Sequence, residues 1–380
     1  GGADPEGSEG IGGDGVMAKF SEVLTIINGK NQSKVENPNG RYPIYGSGGI
    51  MGYADDYLCD AETVVIGRKG SINKPIFVDE PFWNVDTAFG LVADRKVLHP
   101  KFLFYFCGHF DFEQLNTTVT IPSLTKANLL NIEMPLPNLD VQQVIVDRLS
   151  KIDSLIALRK EQLAKLDQLV KSRFIELFGD PEHNEKQWDV LKLDTLCSVS
   201  SSKRIYQNEL SVEGVPFFRI SDLVNRMDTG STECELYIPE GRYEELKTLG
   251  LVPVTGDVLI TARGTLGRCY TLTESDRFYF QDGMITWLYG FDKALTTNYL
   301  THLFAMNGFR KQIDSLQSGS TVAYLSISMT KKLDVMLPPL ELQEQFTAFA
   351  EQTDKSKLTI QASLDKLEVM KKALMQEYFG

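Results

Sequence analysis

The chain has 380 residues, a formal net charge of −12, 42% hydrophobic residues and 24% charged residues. That length supports two or three domains, each burying its own core, and the composition is that of a soluble globular protein. No apolar run approaches the roughly 18 residues needed to cross a bilayer, and no signal peptide precedes the first periodic segment, so the expected setting is cytoplasmic, without a membrane partner.

Residues 1–16, GGADPEGSEGIGGDGV, are Gly-rich, acidic and aperiodic. They read as an expression scar, with a native disordered tail as the alternative. Residues 17–139 follow as a first globule, in which short β-rich runs alternate with turn signals: the glycine-crowded YPIYGSGGIMGY (42–53), TVVIG before Arg68, and PIFV at 75–78. PKFLFYFCGHF (100–110) reads as a short helix. Residues 140–179 then form a long helix, because Ile145, Leu149, Ile152, Ile156, Leu163, Leu166 and Val170 recur at steps of three, four or seven with charges between them. Pro135 and Pro137 stand before its start, and Gly179 with Pro181 stops it.

Residues 180–187 link to a second globule, 188–340, where DVLITA before Arg263 and FYF (278–280) supply β-rich runs and NYLTHLFAMNGF (298–309) a short helix. After Pro338 and Pro339, a second long helix, 341–380, carries Phe346, Ile360, Leu364, Leu367 and Leu374 in the same phase, interrupted at Thr353 and Lys357.

The order globule, helix, globule, helix is an internal repeat. FIELFG (174–179) is matched by MQEYFG (375–380) at an offset of 201 (379 − 178), and in the same register Leu139 falls on Leu340 and Gln142 on Gln343. Upstream, VVIGRKGSI (64–72) lies over VLITARGTL (258–266) at an offset of 194 (258 − 64), and the front edges lie at 173 (191 − 18). The second copy therefore carries 28 (201 − 173) extra residues, all in its globule. Length is fixed in the helices alone. Either helix by itself would pass as a long core helix, but two of equal length favour each other as partners in a coiled coil. The expected fold is α/β (α+β): two globules separated by an antiparallel two-helix coiled coil, with a pseudo-two-fold internal repeat that brings the second FG back to the first globule.

Catalytic motifs are missing. There is no phosphate-binding G-x-x-x-x-G-K-[ST], no G-x-S-x-G elbow and no H-E-x-x-H, and GSGG (46–49) reads as a turn. Nor is there an Asn/Asp-Pro-Pro-Tyr/Phe stretch of the kind amino-methyltransferases use to hold a base. The five cysteines lack C-x-x-C spacing and the four histidines lack metal-ligand spacing, which fits free thiols and no zinc site. The negative balance weighs against a phosphate-bearing partner, although Asp4, Glu6, Glu9 and Asp14 of the tail account for part of it. No catalytic residue, metal ligand or cofactor site is assigned.

Over Met17–Gly380 the chain resembles the specificity subunit of type I restriction-modification systems. The resemblance is carried by ELFGDPEHNEKQWDVLKL (176–193), YPIYGSGGIMGY, the RKG and ARG turns, and SLTKANLLNIEMPLP (123–137) running into the Gln-bearing helix start. It implies two target-recognition domains, each reading half of a bipartite asymmetric DNA sequence, with the helices as spacer. It also implies duplex DNA, two methyltransferase subunits and restriction (motor-nuclease) subunits as partners, and adenine methylation with S-adenosylmethionine held by the methyltransferase rather than by this chain. A helix of about 35 residues is about 52 Å long, and half-sites one turn apart are separated by about 35 Å, so the dimensions are compatible. Candidate DNA-binding residues are Arg41, Tyr45, Ser47, Arg68, Lys69, Ser71 and Lys74 in the first globule. In the second they are Lys203, Arg204, Arg219, Ser221, Arg263, Thr265, Arg268, Ser320, Thr321 and Tyr324. Arg reads guanine bidentately, whereas Lys, Ser and Thr more often hold phosphates. The competing expectation is a non-enzymatic scaffold whose globules bind protein.

Overall fold

Thr63–Gly67 reads TVVIG and is buried at every position, as befits a β-branched run covered on both faces. In the computed structural model, which describes residues 16–115, 123–317 and 323–380, it lies inside an antiparallel sheet. The order is Leu24–Asn28, Ala88–Ala93, Thr63–Gly67, Ile76–Val78. A second sheet joins the hairpin Tyr42–Gly46 and Gly49–Ala54 to Trp83–Asn84, which runs parallel to Tyr42–Gly46. Met17–Lys19 pairs with Glu133–Pro135. The short helix Pro100–His109 has proline in its first turn and is capped by His99, whose Nδ1 accepts from the Lys101 N–H at 3.1 Å.

The second globule repeats this plan. Its four strands are ordered Ser198–Ser200, Ile285–Tyr289, Val258–Thr261, Cys269–Thr271, and its three-stranded sheet is Tyr237–Ile238, Val215–Phe218, Tyr279–Phe280. Asp189–Lys192 pairs with Asp334–Leu337, and Thr296 caps the helix Thr297–Ala305. The additional length falls largely in two helices without counterparts among the described residues of the first globule, Ile220–Thr229 and Glu240–Thr248. The first is fastened by Arg226, which pairs with Asp276 at 2.9 Å and donates to the Tyr270 hydroxyl at 3.1 Å. Asp276 in turn accepts from the Tyr270 hydroxyl and the Thr273 N–H, each at 2.8 Å. Burial opposes ionisation of Asp276, but these donors outweigh it and hold its carboxyl below the usual carboxylate range.

The long helices are Leu139–Phe178 and Leu340–Phe379, 40 residues each. By compactness the chain forms two units: one runs to Glu161 and includes Ile360–Gly380, the other is Gln162–Thr359. Within each unit the two helix segments run antiparallel. In the first, Arg148 donates to the Tyr378 hydroxyl at 3.1 Å, Asp153 pairs with Lys371 at 2.6 Å, and Lys160 pairs with Glu368 at 3.0 Å. In the second, Asp167 pairs with Lys357 at 2.7 Å and Phe174 meets Phe346 edge-on at 5.4 Å.

Of the predicted seam, Ile145, Leu149, Ile152, Val170, Phe346 and Leu364 are buried, and Ile156, Leu163, Leu166, Ile360, Leu367 and Leu374 half-buried. The interruption at Thr353 and Lys357 is a satisfied polar step. The buried Thr353 hydroxyl donates to the Phe349 carbonyl at 2.9 Å, and Lys357 reaches Asp167 and Asp354.

The two FG sequences close equivalent cores. Phe379 packs on Phe102 at 5.1 Å in one cluster with Ala18 and Phe20, while Phe178 packs on Tyr299 at 4.8 Å. Gly179, at φ 81°, stops the first long helix in the left-handed region. The orphan carbonyls of its last turn are met by Trp188 Nε1 on Phe178 at 2.9 Å and Lys186 Nζ on Leu177 at 3.0 Å.

Each long helix also starts with a fully buried glutamine. Gln142 Oε1 accepts from the His99 N–H at 2.8 Å, and its Nε2 donates to Val97 and Pro137 carbonyls at 2.8 and 2.7 Å. Gln343 does the same with the Thr296 N–H at 2.9 Å and the Ala294 and Pro338 carbonyls at 2.8 Å. One amide thus locks the start of the long helix to the cap of the short helix in both units.

Candidate nucleic-acid interface

The strand buried deepest in each sheet ends in the same turn. After Thr63–Gly67 the Leu124 N–H donates to the Arg68 carbonyl at 3.0 Å; after Val258–Thr261 the Leu325 N–H donates to the Ala262 carbonyl at 3.0 Å. Bridges join Lys69 to Ser123 and Arg263 to Tyr324. Lys69 is therefore the counterpart of Arg263, Gly70 of Gly264 and Ser71 of Thr265, in the register of 194 (263 − 69) read from the sequence. Both glycines lie in the left-handed region, with φ of 77° and 67°, where a side chain is strained. The turns thus present a cation, a bent backbone and a hydroxyl, with Lys69, Arg263 and Thr265 exposed and Ser71 half-buried.

Charge pairing divides the candidates. Among the described residues, Arg41, Arg68, Lys69, Lys74 and Arg263 make no ion pair. Three of these guanidiniums lie over aromatic rings instead: Arg41 over Tyr42 at 5.5 Å, Arg68 over Phe89 at 5.9 Å and Arg263 over Tyr324 at 5.1 Å. Such contacts orient a guanidinium while leaving its N–H fork available. Arg204, Arg219 and Arg268 are engaged by carboxylates: Arg204 by Asp282 at 2.9 Å, Arg219 by Asp222 at 3.3 Å and Glu235 at 3.0 Å, Arg268 by Asp228 at 2.5 Å. The hydrogen bond from Arg268 holds the Asp228 carboxyl below its ordinary range.

In the first globule Ser47 sits at the hairpin tip against the end of the central strand, since a Cβ on Gly67 would come within 2.9 Å of its Cβ. Tyr45 packs edge-on against Phe82 at 5.4 Å, and burial, with Glu80 and Asp79 nearby, raises its phenol pKa. Lys74 is exposed beyond the turn. In the second globule Lys203 is exposed, Ser221 lies exposed in the first turn of Ile220–Thr229, and Tyr324 is half-buried under Arg263. Ser320 and Thr321 lie outside the described residues. Sequence reasoning passed over the exposed Ile50, Met51 and Tyr53 on the hairpin; their signal was a run of large side chains between glycines. Among the described residues no group of three or more His, Cys, Asp or Glu could hold a metal, and no helix is long and apolar enough to cross a membrane.

Two repeats of one plan, each closed by an equal helix and each presenting a cationic turn, define a tandem recognition module. The family model for the type I restriction modification DNA specificity domain matches the chain twice, at residues 14–168 and 185–369, and the chain belongs to that family. It is 26% identical over 378 residues to a protein of Haemophilus influenzae named as a type I restriction enzyme specificity subunit, covering 94% of each chain. To the type I restriction enzyme MjaVIII specificity subunit of Methanocaldococcus jannaschii it is 23% identical over 381 residues, covering 95% of this chain and 82% of the other. The fold is shared with the crystal structure of the S subunit from M. genitalium, at a TM-score of 0.62, 17% identity and 96% coverage of both chains. It is shared too with a chain from a study of assembly and conformational transition of the type I R-M system, at a TM-score of 0.55, 17% identity and coverage of 96% and 98%.

Proposed function

We propose that this chain is the DNA-reading subunit of a type I restriction-modification complex, each globule contacting one half of a bipartite, asymmetric target. The observation that carries the reading is the duplicated turn: Lys69-Gly70-Ser71 and Arg263-Gly264-Thr265 occupy one place in two otherwise divergent globules. A guanidinium free of carboxylates suits bidentate contact with guanine, and an ammonium beside a hydroxyl suits phosphate. The helices, each about 60 Å long at 40 residues, fix the half-site spacing, and their exposed surfaces receive two methyltransferase subunits, to which restriction subunits add. S-adenosylmethionine belongs to the methyltransferase, this chain supplies no catalytic group, and the complex works in the cytoplasm. Arg204, Arg219 and Arg268 hold the second globule's surface in shape rather than reading bases.

The test is to express the chain with its modification subunits and sequence the methylated sites. Lys69→Ala and Arg263→Ala should each degrade recognition of a different half-site. Unchanged methylation in both variants would remove the turns from the interface.

A further inference from the structure

Beside the shared turn the two globules present different chemistry. In the first, the hairpin Tyr42–Gly46 and Gly49–Ala54 folds its tip against the turn: a Cβ on Gly67 would come within 2.9 Å of the Ser47 Cβ, and one on Gly70 within 4.0 Å of the Ser47 Oγ. From this tip Ile50 and Met51 remain 54% and 63% exposed. In the second globule the same connection is the helix Ile220–Thr229, whose exposed residues include Ser221, Asn225 and Asp228. Adjacent apolar side chains left in water forgo the gain that burial would bring, so a covering surface is expected. Asp79 and Glu80 stand near Tyr45, across the hairpin from Ile50, but the two cations of the turn that lies against Ser47, Arg68 and Lys69, have no carboxylate partner among the described residues, which favours a surface bearing phosphates.

We infer that Ile50 and Met51 are specificity residues that pack on the C5-methyl group of a thymine in the major groove of the first globule's half-site. The inference rests on the DNA-reading role proposed above. Gly49–Ala54 is the edge strand of its three-stranded sheet and leads out of the hairpin tip, and the thymine methyl is the apolar group that a base edge offers in the major groove. The unbranched thioether of Met51 adapts to such a contact. The second globule is polar at this place and offers no such apolar contact there.

The experiment uses the complex of the full chain with its modification subunits and a duplex carrying the methylated sequence. Each thymine is replaced in turn by deoxyuridine, which lacks only the methyl group. Loss of one methyl contact, about 0.8 kcal/mol, corresponds to binding about fourfold weaker. That loss should occur in one half-site and disappear in the Ile50→Ser/Met51→Ser double variant. A half-site pair without any deoxyuridine-sensitive thymine, or sensitivity that survives in the double variant, overturns the inference while sequence-specific binding leaves the parent role standing. Failure of the unaltered complex to prefer its own sequence sinks the parent role itself. If the double variant instead recovers less modification subunit and keeps its deoxyuridine response, the tip is a protein contact and the thymine assignment is wrong.

Discussion

The fastenings of the two globules agree group for group, whereas their exposed edges do not. Gln142 and Gln343 make the same three hydrogen bonds, and Phe379 and Phe178 fill the same aromatic socket. In the connection between corresponding strands upstream of the shared turn, one globule offers an apolar hairpin and the other a helix tied down by an ion pair. Geometry is thus duplicated while surface chemistry is free to diverge. That is the division required of two readers with different targets on a common frame.

The largest expected effect breaks the second edge alone. Asp276 is 1% exposed at the side chain and carries Arg226, Tyr270 and Thr273. Asp276→Ala should leave a poorly solvated guanidinium unpaired and lower the stability of the second unit by about 3–5 kcal/mol, read as an earlier chemical-unfolding transition. First-unit probes such as Trp83 should be unmoved. Next are the fastenings: Gln142→Ala and Gln343→Ala each strand two carbonyls and an N–H, at about 2–3 kcal/mol. Near-equal losses would confirm that the locks are equivalent, and a loss in only one would end the comparison. Lys69→Ala and Arg263→Ala should each weaken binding of one half-site by about 1–3 kcal/mol, or roughly 5- to 150-fold, with no change in unfolding.

The smallest effect is a pH dependence. Burial disfavours the Lys357 ammonium, but Asp167 and Asp354 prevail and raise its pKa above the ordinary lysine value. Its stabilisation is therefore complete below the unfolded value of about 10.4 and fades as pH rises through the folded one. Denaturation midpoints at about pH 9 and about pH 11.5 should diverge more for the native chain than for Lys357→Met, whose loss at neutral pH is small.

The helices were legible because their spacing is periodic and their length repeats. Both begin at Leu139 or Leu340 and end at Phe178 or Phe379, within a residue of the sequence boundaries. The shared turn was legible as a repeated cation-glycine pair. The fate of individual arginines was not. Arg204, Arg219 and Arg268 meet partners that include Asp282, Glu235 and Asp228, and such pairings across 16 to 78 residues leave no periodic trace. Lys357 looked like a defect for the same reason, since its remedy includes a carboxylate on the other helix, Asp167, whereas Thr353 is met locally by the Phe349 carbonyl one turn back.

The socket filled by Phe379 bears on the order in which the chain acquires structure. Phe102 waits 277 positions (379 − 102) for the ring that covers it, whereas the second unit, Gln162–Thr359, is one uninterrupted stretch. Loop closure over that distance carries an entropic cost that local contacts must offset. During synthesis the second unit can therefore mature first, leaving the earlier-made globule unplugged until the last turn of Leu340–Phe379 leaves the ribosome.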